Sequence, residues 1–206
     1  MIADAQSELE RAVRFLAKRD PALSDAVKRF GIPKARRRPA GFSTLAKIIV
    51  GQQISTKAAD AIWNRCRSTL GTVNAQAVRA AKDADLRAAG LSASKLKTLK
   101  AIAAAAETGT CNFRGFNRKT DDEVKTHLTA IWGIGDWTAD IYLMFGMGRP
   151  DVWPVGDLAL RTGWQAISES ASRIEAKDLA ALAEHWSPHR SAAAVLLWHA
   201  VAVTRA

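Results

Sequence analysis

Apolar residues recur at intervals of three and four along nearly the whole chain, and no alternating apolar–polar run extends beyond a few positions. That period predicts an all-α fold. A first helix is expected over residues 2–18, and a second from Pro21 to a glycine C-cap at Gly31. After the basic connection "PKARRRPAG" come "FSTLAKIIV" and "STKAADAIWNRCRSTLG", two helices broken at "GQQI" with Ser55 as N-cap of the second. Leu45, Ile48 and Ile49 form the inward stripe of one, and Ile62, Trp63 and Cys66 that of the other. Shorter helices are predicted over 74–81, 83–89 and 92–107, punctuated by Gly90, Gly109 and Gly115.

Thr120 followed by Glu123 is a capping box that opens the helix "DDEVKTHLTAIW", which Gly133 ends. Gly135 permits a second sharp step, Asp136 can cap the next helix "WTADIYLMF", and that helix stops near Gly146 and Gly148. A helix, a tight hairpin and a helix result. The N–H groups of such a turn and of the following first helical turn can hold a phosphate without reading bases. By itself Gly-x-Gly describes an ordinary αα-turn. Downstream, "GRPDVWPVGDLALRTG" (148–163) is a Gly/Pro-rich loop that delivers Asp157 to a helix start, where an aspartate is commonly an N-cap, with Leu158 and Leu160 continuing into the core.

Charge adds a partner class. The 206 residues carry 30 Lys and Arg against 20 Asp and Glu, a net +10 with a pI of about 10.1, which suits nucleic acid or another polyanion. No basic segment followed by an apolar stretch opens the chain, and nowhere do about eighteen apolar residues run together. A cytoplasmic, nucleoid-associated protein without a membrane partner is therefore expected. Cys66 and Cys111 are too few and too isolated for a disulfide framework or a zinc site, and the four histidines lack metal-ligand spacing.

Three segments then combine. "LTAIWGIGDWTADIYLMF", "RPDVWPVGDLALR" and "FSTLAKIIVGQQIS", with weaker echoes in "DPALSDAVKRFG" and "GLSASKLKTLKAIA", resemble the helix-hairpin-helix DNA glycosylases named for hairpin, Gly/Pro loop and aspartate. The likeness spans about residues 20–165 and is greatest to the 3-methyladenine DNA glycosylase II type. It implies a two-lobed helix-hairpin-helix glycosylase fold with the active cleft between the lobes. The whole of 1–206 would be one such unit, with a central lobe of about 42–118 and a discontinuous lobe of 1–41 plus 119–206, which holds the hairpin 121–146 and the catalytic loop 148–157. Helical from its first residues, the chain is expected to be a minimal form without the N-terminal β-rich domain of some bacterial relatives.

The resemblance further assigns roles. Asp157 is the catalytic carboxylate; Trp137, Ile141, Tyr142 and Trp153 line the base pocket; Gln53, or else Ile54, is the wedge that fills the hole left by a flipped base. Gly133, Ile134, Gly135, Asp136 and Thr138 meet the DNA backbone; Lys34, Arg36, Arg37 and Arg38, with Lys95 and Lys97, are further phosphate candidates. An ionised carboxylate beside C1′ stabilises the oxocarbenium character of a breaking N-glycosidic bond, and a helix N-terminus favours negative charge there. Strand-cleaving members carry a Lys where this chain has Trp137, so base removal by water without AP lyase activity is implied. Lys125 is the nearby alternative amine.

An indole face suits a cationic alkylated base through cation–π attraction of about 1–2 kcal/mol. Such a base is also an activated leaving group, so 3-methyladenine and 7-methylguanine are the implied substrates in damaged double-stranded DNA. Ile141 stands where some relatives have a second pocket aromatic, which bears on base range. No cofactor and no iron–sulfur cluster is implied; a structural K⁺ or Na⁺ at the hairpin carbonyls is the one ion the family admits. A monomer is expected, since DNA must cross an open cleft. Three readings stay open: an alkyl-base glycosylase, a glycosylase for another damaged or mismatched base, and a non-catalytic DNA-binding module.

Overall fold

The computed structural model describes residues 2–204, and every regular element among them is helical. Twelve α-helices follow in order: α1 Ile2–Ala17, α2 Pro21–Phe30, α3 Phe42–Gly51, α4 Thr56–Leu70, α5 Ala75–Ala80, α6 Asp83–Ala88, α7 Ala93–Glu107, α8 Asp121–Thr129, α9 Asp136–Tyr142, α10 Leu158–Ser168, α11 Ala176–Ala183 and α12 Arg190–Thr204. The described residues form two compact units, one of 38–147 and one of 2–37 with 148–204.

In the continuous unit, α3 packs against α4, α7 and α9, with Leu45, Ile49, Trp63, Ile102, Leu128 and Tyr142 buried. Tyr142 is the hub of an aromatic cluster. Its ring meets Phe113 and Phe116, and its hydroxyl accepts a 2.9 Å hydrogen bond from Gly41 N–H. Burial pushes the phenol well above its ordinary pKa. Cys111 is buried too, its thiol raised to about 12 by desolvation, and Cys66 fills the core of α4.

The hairpin belongs to this continuous unit, not to the discontinuous one as expected. Its helices pack on each other and α9 packs on α3, so the boundaries fall at 37/38 and 147/148 rather than near 41 and 119. Sequence patterning finds helices, but which lobe owns one depends on contacts far along the chain.

In the discontinuous unit, α10 lies directly on α12, and both meet α2. Gly163 makes that approach possible. A Cβ there would stand 2.4 Å from Leu197 O, a backbone atom that cannot step aside. Gly163→Ala is therefore expected to destabilise the fold by about 1–3 kcal/mol, measurable as a lower melting temperature.

Asp20, which no motif in the sequence singles out, serves two ends of this unit. One carboxylate oxygen caps α2 by accepting from Ala22 N and Leu23 N, while the other accepts from Trp186 Nε1 at 2.8 Å. Trp186 in turn packs between Trp153 and Trp164.

Candidate active site and nucleic-acid interface

The capping box at Thr120 and Glu123 forms as expected, with both reciprocal hydrogen bonds present. α8 nevertheless ends at Thr129, short of Gly133, because Ile131 N–H folds back to Leu128 O and Ile134 N–H to Ile131 O. Ile131 and Ile134 are both buried, so two apolar plugs hold the turn down while Trp132, Gly133, Gly135 and Asp136 stay exposed. Gly133 has φ +84 and approaches α7 so closely that a Cβ would lie 2.0 Å from Thr98 Oγ1.

The N-cap of α9 is Gly135, in extended conformation without a side-chain cap, rather than Asp136. Asp136 occupies the first helical position and points its carboxylate toward Lys125, 3.5 Å away. Gly135 therefore offers no side-chain cap to the start of α9. The side chains of Ile134 and Thr138 are buried.

Trp137 is 37% exposed and lies beside the buried Thr138. The other three residues assigned to a base pocket sit in cores. Tyr142 is 0% exposed with its hydroxyl engaged, Ile141 is buried next to it, and Trp153 packs edge-on against Trp186 in the other unit. A ring without free face cannot stack on a base, so Trp137 is the aromatic of the four that the fold presents.

The break between α3 and α4 is a tight turn in which Gln53 takes φ +56 and is exposed, as is Ile54. Of the basic candidates, Lys34 and Arg36 are exposed, and Arg37 lies against Gly148 and 3.7 Å from Glu8. Arg38 lines a pocket of about 530 Å³ with Lys47, Trp63 and Arg67 at the start of α3, the end opposite Gln53. Lys95 is committed to structure. Its ammonium donates to Val50 O at 2.8 Å and its pKa is lowered by burial. Lys97 lies 4.0 Å over the ring of Trp132, which is itself exposed at the hairpin tip.

Lys125 is held by Asp140 at 3.1 Å as well as by Asp136. Burial opposes its charge, but the hydrogen bond and charge of Asp140 outweigh that and raise its pKa above the usual lysine value. A protonated, paired amine is no nucleophile.

In the discontinuous unit, the loop after Gly148 descends to Asp157 through Gly156 at φ +84. Asp157 is the N-cap of α10. Its Oδ1 accepts from Leu160 N–H at 2.9 Å and from Trp198 Nε1–H at 3.2 Å, so two donors orient one carboxylate oxygen. Contrary to expectation Leu158 is exposed, because it occupies the outward side of the first turn, whereas Leu160 is buried as expected.

The loop is anchored by residues that sequence reasoning missed. Arg190 grips Asp151 with Nε and Nη2 at 3.0 and 3.1 Å, and Ser191 Oγ donates to Arg149 O while accepting from Val152 N–H. Burial opposes the charge of Asp151, but hydrogen bonds from Arg190 and Ser187 hold its carboxyl below the usual range. The Arg-Ser pair at the start of a helix was the available signal.

Among the described residues no group of three or more His, Cys, Asp and Glu side chains could hold a metal ion, and no helix is long and apolar enough to cross a membrane. His127 stacks on Phe116, His189 meets Phe15, and His199 Nε2 lies 2.8 Å from Phe30 O.

A family model described as HhH-GPD superfamily base excision DNA repair protein matches residues 46–189. DNA-3-methyladenine glycosylase 1 of Schizosaccharomyces pombe is 33% identical over 161 residues, covering 76% of this chain and 71% of that protein. The DNA-3-methyladenine glycosylase of Saccharomyces cerevisiae is 30% identical, over 65% of this chain and 49% of its own length. Among solved structures, the S. pombe 3-methyladenine DNA glycosylase Mag1 in complex with abasic DNA superposes with a TM-score of 0.86 at 30% identity, covering 91% of this chain and 95% of that one. DNA-3-methyladenine glycosidase of Bacillus halodurans follows at 0.78 and 30% identity, covering 94% and 90%. Hairpin, Gly/Pro loop and aspartate thus occur on the fold that carries them elsewhere, and the chain belongs to the HhH-GPD superfamily of base excision DNA repair proteins.

Proposed function

We propose that this chain is a monofunctional DNA glycosylase that removes alkylated purines, 3-methyladenine and 7-methylguanine, from double-stranded DNA by base flipping and leaves an abasic site. The observation that carries the reading is Asp157, a carboxylate oriented by Leu160 N–H and Trp198 Nε1–H at the end of the Gly/Pro loop. Similarity to 3-methyladenine glycosylases supports the substrate class.

In the reaction, the hairpin and the start of α9 hold the DNA backbone through N–H groups, and the net charge of +10 draws the protein to DNA at low salt. Trp137 stacks on the flipped base, whose positive charge its indole face favours. The alkylated ring departs as a neutral base, so no general acid is needed. The Asp157 carboxylate stabilises the cationic sugar and orients the water that attacks C1′. Position 137 holds an indole rather than an amine that could form a Schiff base, and Lys125 is engaged by Asp140. The strand therefore stays intact. The protein acts as a monomer without a catalytic cofactor.

The test is release of labelled bases from methylated DNA, resolved by chromatography, with borohydride trapping and strand cleavage followed in parallel. Free 3-methyladenine and 7-methylguanine without trapped adduct are expected. Release of neither base, with activity on oxidised or mismatched bases, would instead support the second reading. Trp137→Ala is expected to lower release of cationic bases roughly tenfold, the size of one desolvated cation–π contact, with Trp137→Phe intermediate.

A further inference from the structure

The turn that presents Gln53 is held in an unusual shape by a residue to which the family reading gives no role. Gln52 has φ −57 and ψ 132, and Gln53 follows with φ +56, the two central positions of a type II turn. The second of these normally takes glycine or asparagine, because a Cβ crowds the backbone in left-handed conformation. Gln53 occupies it with a full side chain. Such a conformation persists only where the surroundings over-determine it.

Two tethers do so within the continuous unit. Lys95 Nζ donates to Val50 O at 2.8 Å, fixing the end of α3. Gln52 Nε2 donates to Thr138 Oγ1 at 2.8 Å, across 86 positions of sequence. Thr138 is 3% exposed and sits in the first turn of α9, directly after Trp137. A buried hydroxyl joined in this way to a partly buried amide forms a specific link.

We propose that Gln52 is a positioning residue: through Thr138 it locks the wedge turn to the first turn of the hairpin's second helix, so that Gln53 enters the base stack in register with Trp137. This rests on the glycosylase reading above. The lock contributes where the target base must be drawn from an intact stack, and adds little where the base is already unpaired, since extrusion then costs less.

The experiment compares single-turnover release of 7-methylguanine from two duplexes, one pairing it with cytosine and one placing it opposite an abasic-site analogue. Gln52→Ala and Thr138→Val are each expected to slow the paired substrate roughly five- to tenfold, the net worth of one hydrogen bond, and the unpaired one by less than about twofold on the same basis. The double variant should be no slower than either single one, and Thr138→Ser, which keeps the acceptor, should retain more of the rate on the paired duplex than Thr138→Val. Equal losses on both duplexes, or additive losses in the double variant, would overturn the inference. If Gln52→Ala does not fold, the Thr138→Val and Thr138→Ser pair decides the matter alone.

A 2-aminopurine placed beside the target reports unstacking on binding without any base release. Should wild type release nothing from either duplex and no 3-methyladenine from methylated DNA, the glycosylase reading fails. The inference is then judged by whether Thr138→Val lowers the 2-aminopurine signal at saturating protein, and an unchanged signal overturns it.

Discussion

Asp157→Asn is expected to lower single-turnover release of 3-methyladenine by on the order of 100- to 1,000-fold, the range for removing one preorganised electrostatic group from a site, while the fold and DNA binding persist. The substitution separates two roles that coincide at this position. As the N-cap of α10, Asp157 accepts from Leu160 N–H and Trp198 Nε1–H through one oxygen. An asparagine can present its carbonyl oxygen to the same two donors and ranks with aspartate as a cap, so stability should change by no more than about 0.5 kcal/mol. What asparagine cannot supply is a full negative charge beside the developing oxocarbenium ion. A variant that melts like wild type, binds abasic DNA and releases no base assigns Asp157 to the chemistry. Full activity in the variant would reduce Asp157 to a helix cap and place the catalytic group elsewhere.

Gly133→Ala should damage both the fold and DNA binding. The alanine would have to take φ +84 and seat its Cβ 2.0 Å from Thr98 Oγ1. Thr98 is buried and its hydroxyl is tied to Ser94 O, so it cannot turn away. Left-handed backbone costs about 1–2 kcal/mol and overpacking about 1–3, together about 2–5 kcal/mol.

Relief of the clash lifts the hairpin off α7 and displaces the N–H groups at the start of α9, so affinity for undamaged duplex is expected to fall at least about tenfold. Gly135→Ala is the control. Gly135 has φ −101 and no atom within 4 Å of an added Cβ, so thermal stability should hold. Its exposed Cβ would still keep a phosphate from approaching the turn, and binding alone should weaken. Denaturant melts and fluorescence anisotropy on the two variants test the distinction. Equal stability of both would place the close contact elsewhere than at Gly133.

Part of this site is legible in short stretches of the chain. The capping box at Thr120 and Glu123, the paired glycines and the aspartate at the start of α10 are local signals, each a requirement of the backbone within a few residues. The N-cap Ser55 and the breaks near Gly31, Gly90 and Gly109 are of the same kind. The missed or misplaced features are mostly long-range. Asp20 reaches Trp186 across 166 positions, Arg190 grips Asp151 across 39, and Gln52 meets Thr138 across 86.

Tyr142 and Trp153 share an aromatic character with Trp137, and nothing local distinguishes a core ring from an exposed one. Their exposure is decided by partners: Phe113, Phe116 and Gly41 enclose Tyr142, while Trp186 covers Trp153. The sequence by itself determined the helical class, the hairpin and the position of the acid, because periodicity, caps and glycine geometry act over one or two turns. Only the tertiary structure decided which unit holds the hairpin, which tryptophans face outward and what steadies Asp157 and Gln53, because burial and hydrogen-bond satisfaction depend on residues that folding alone brings together.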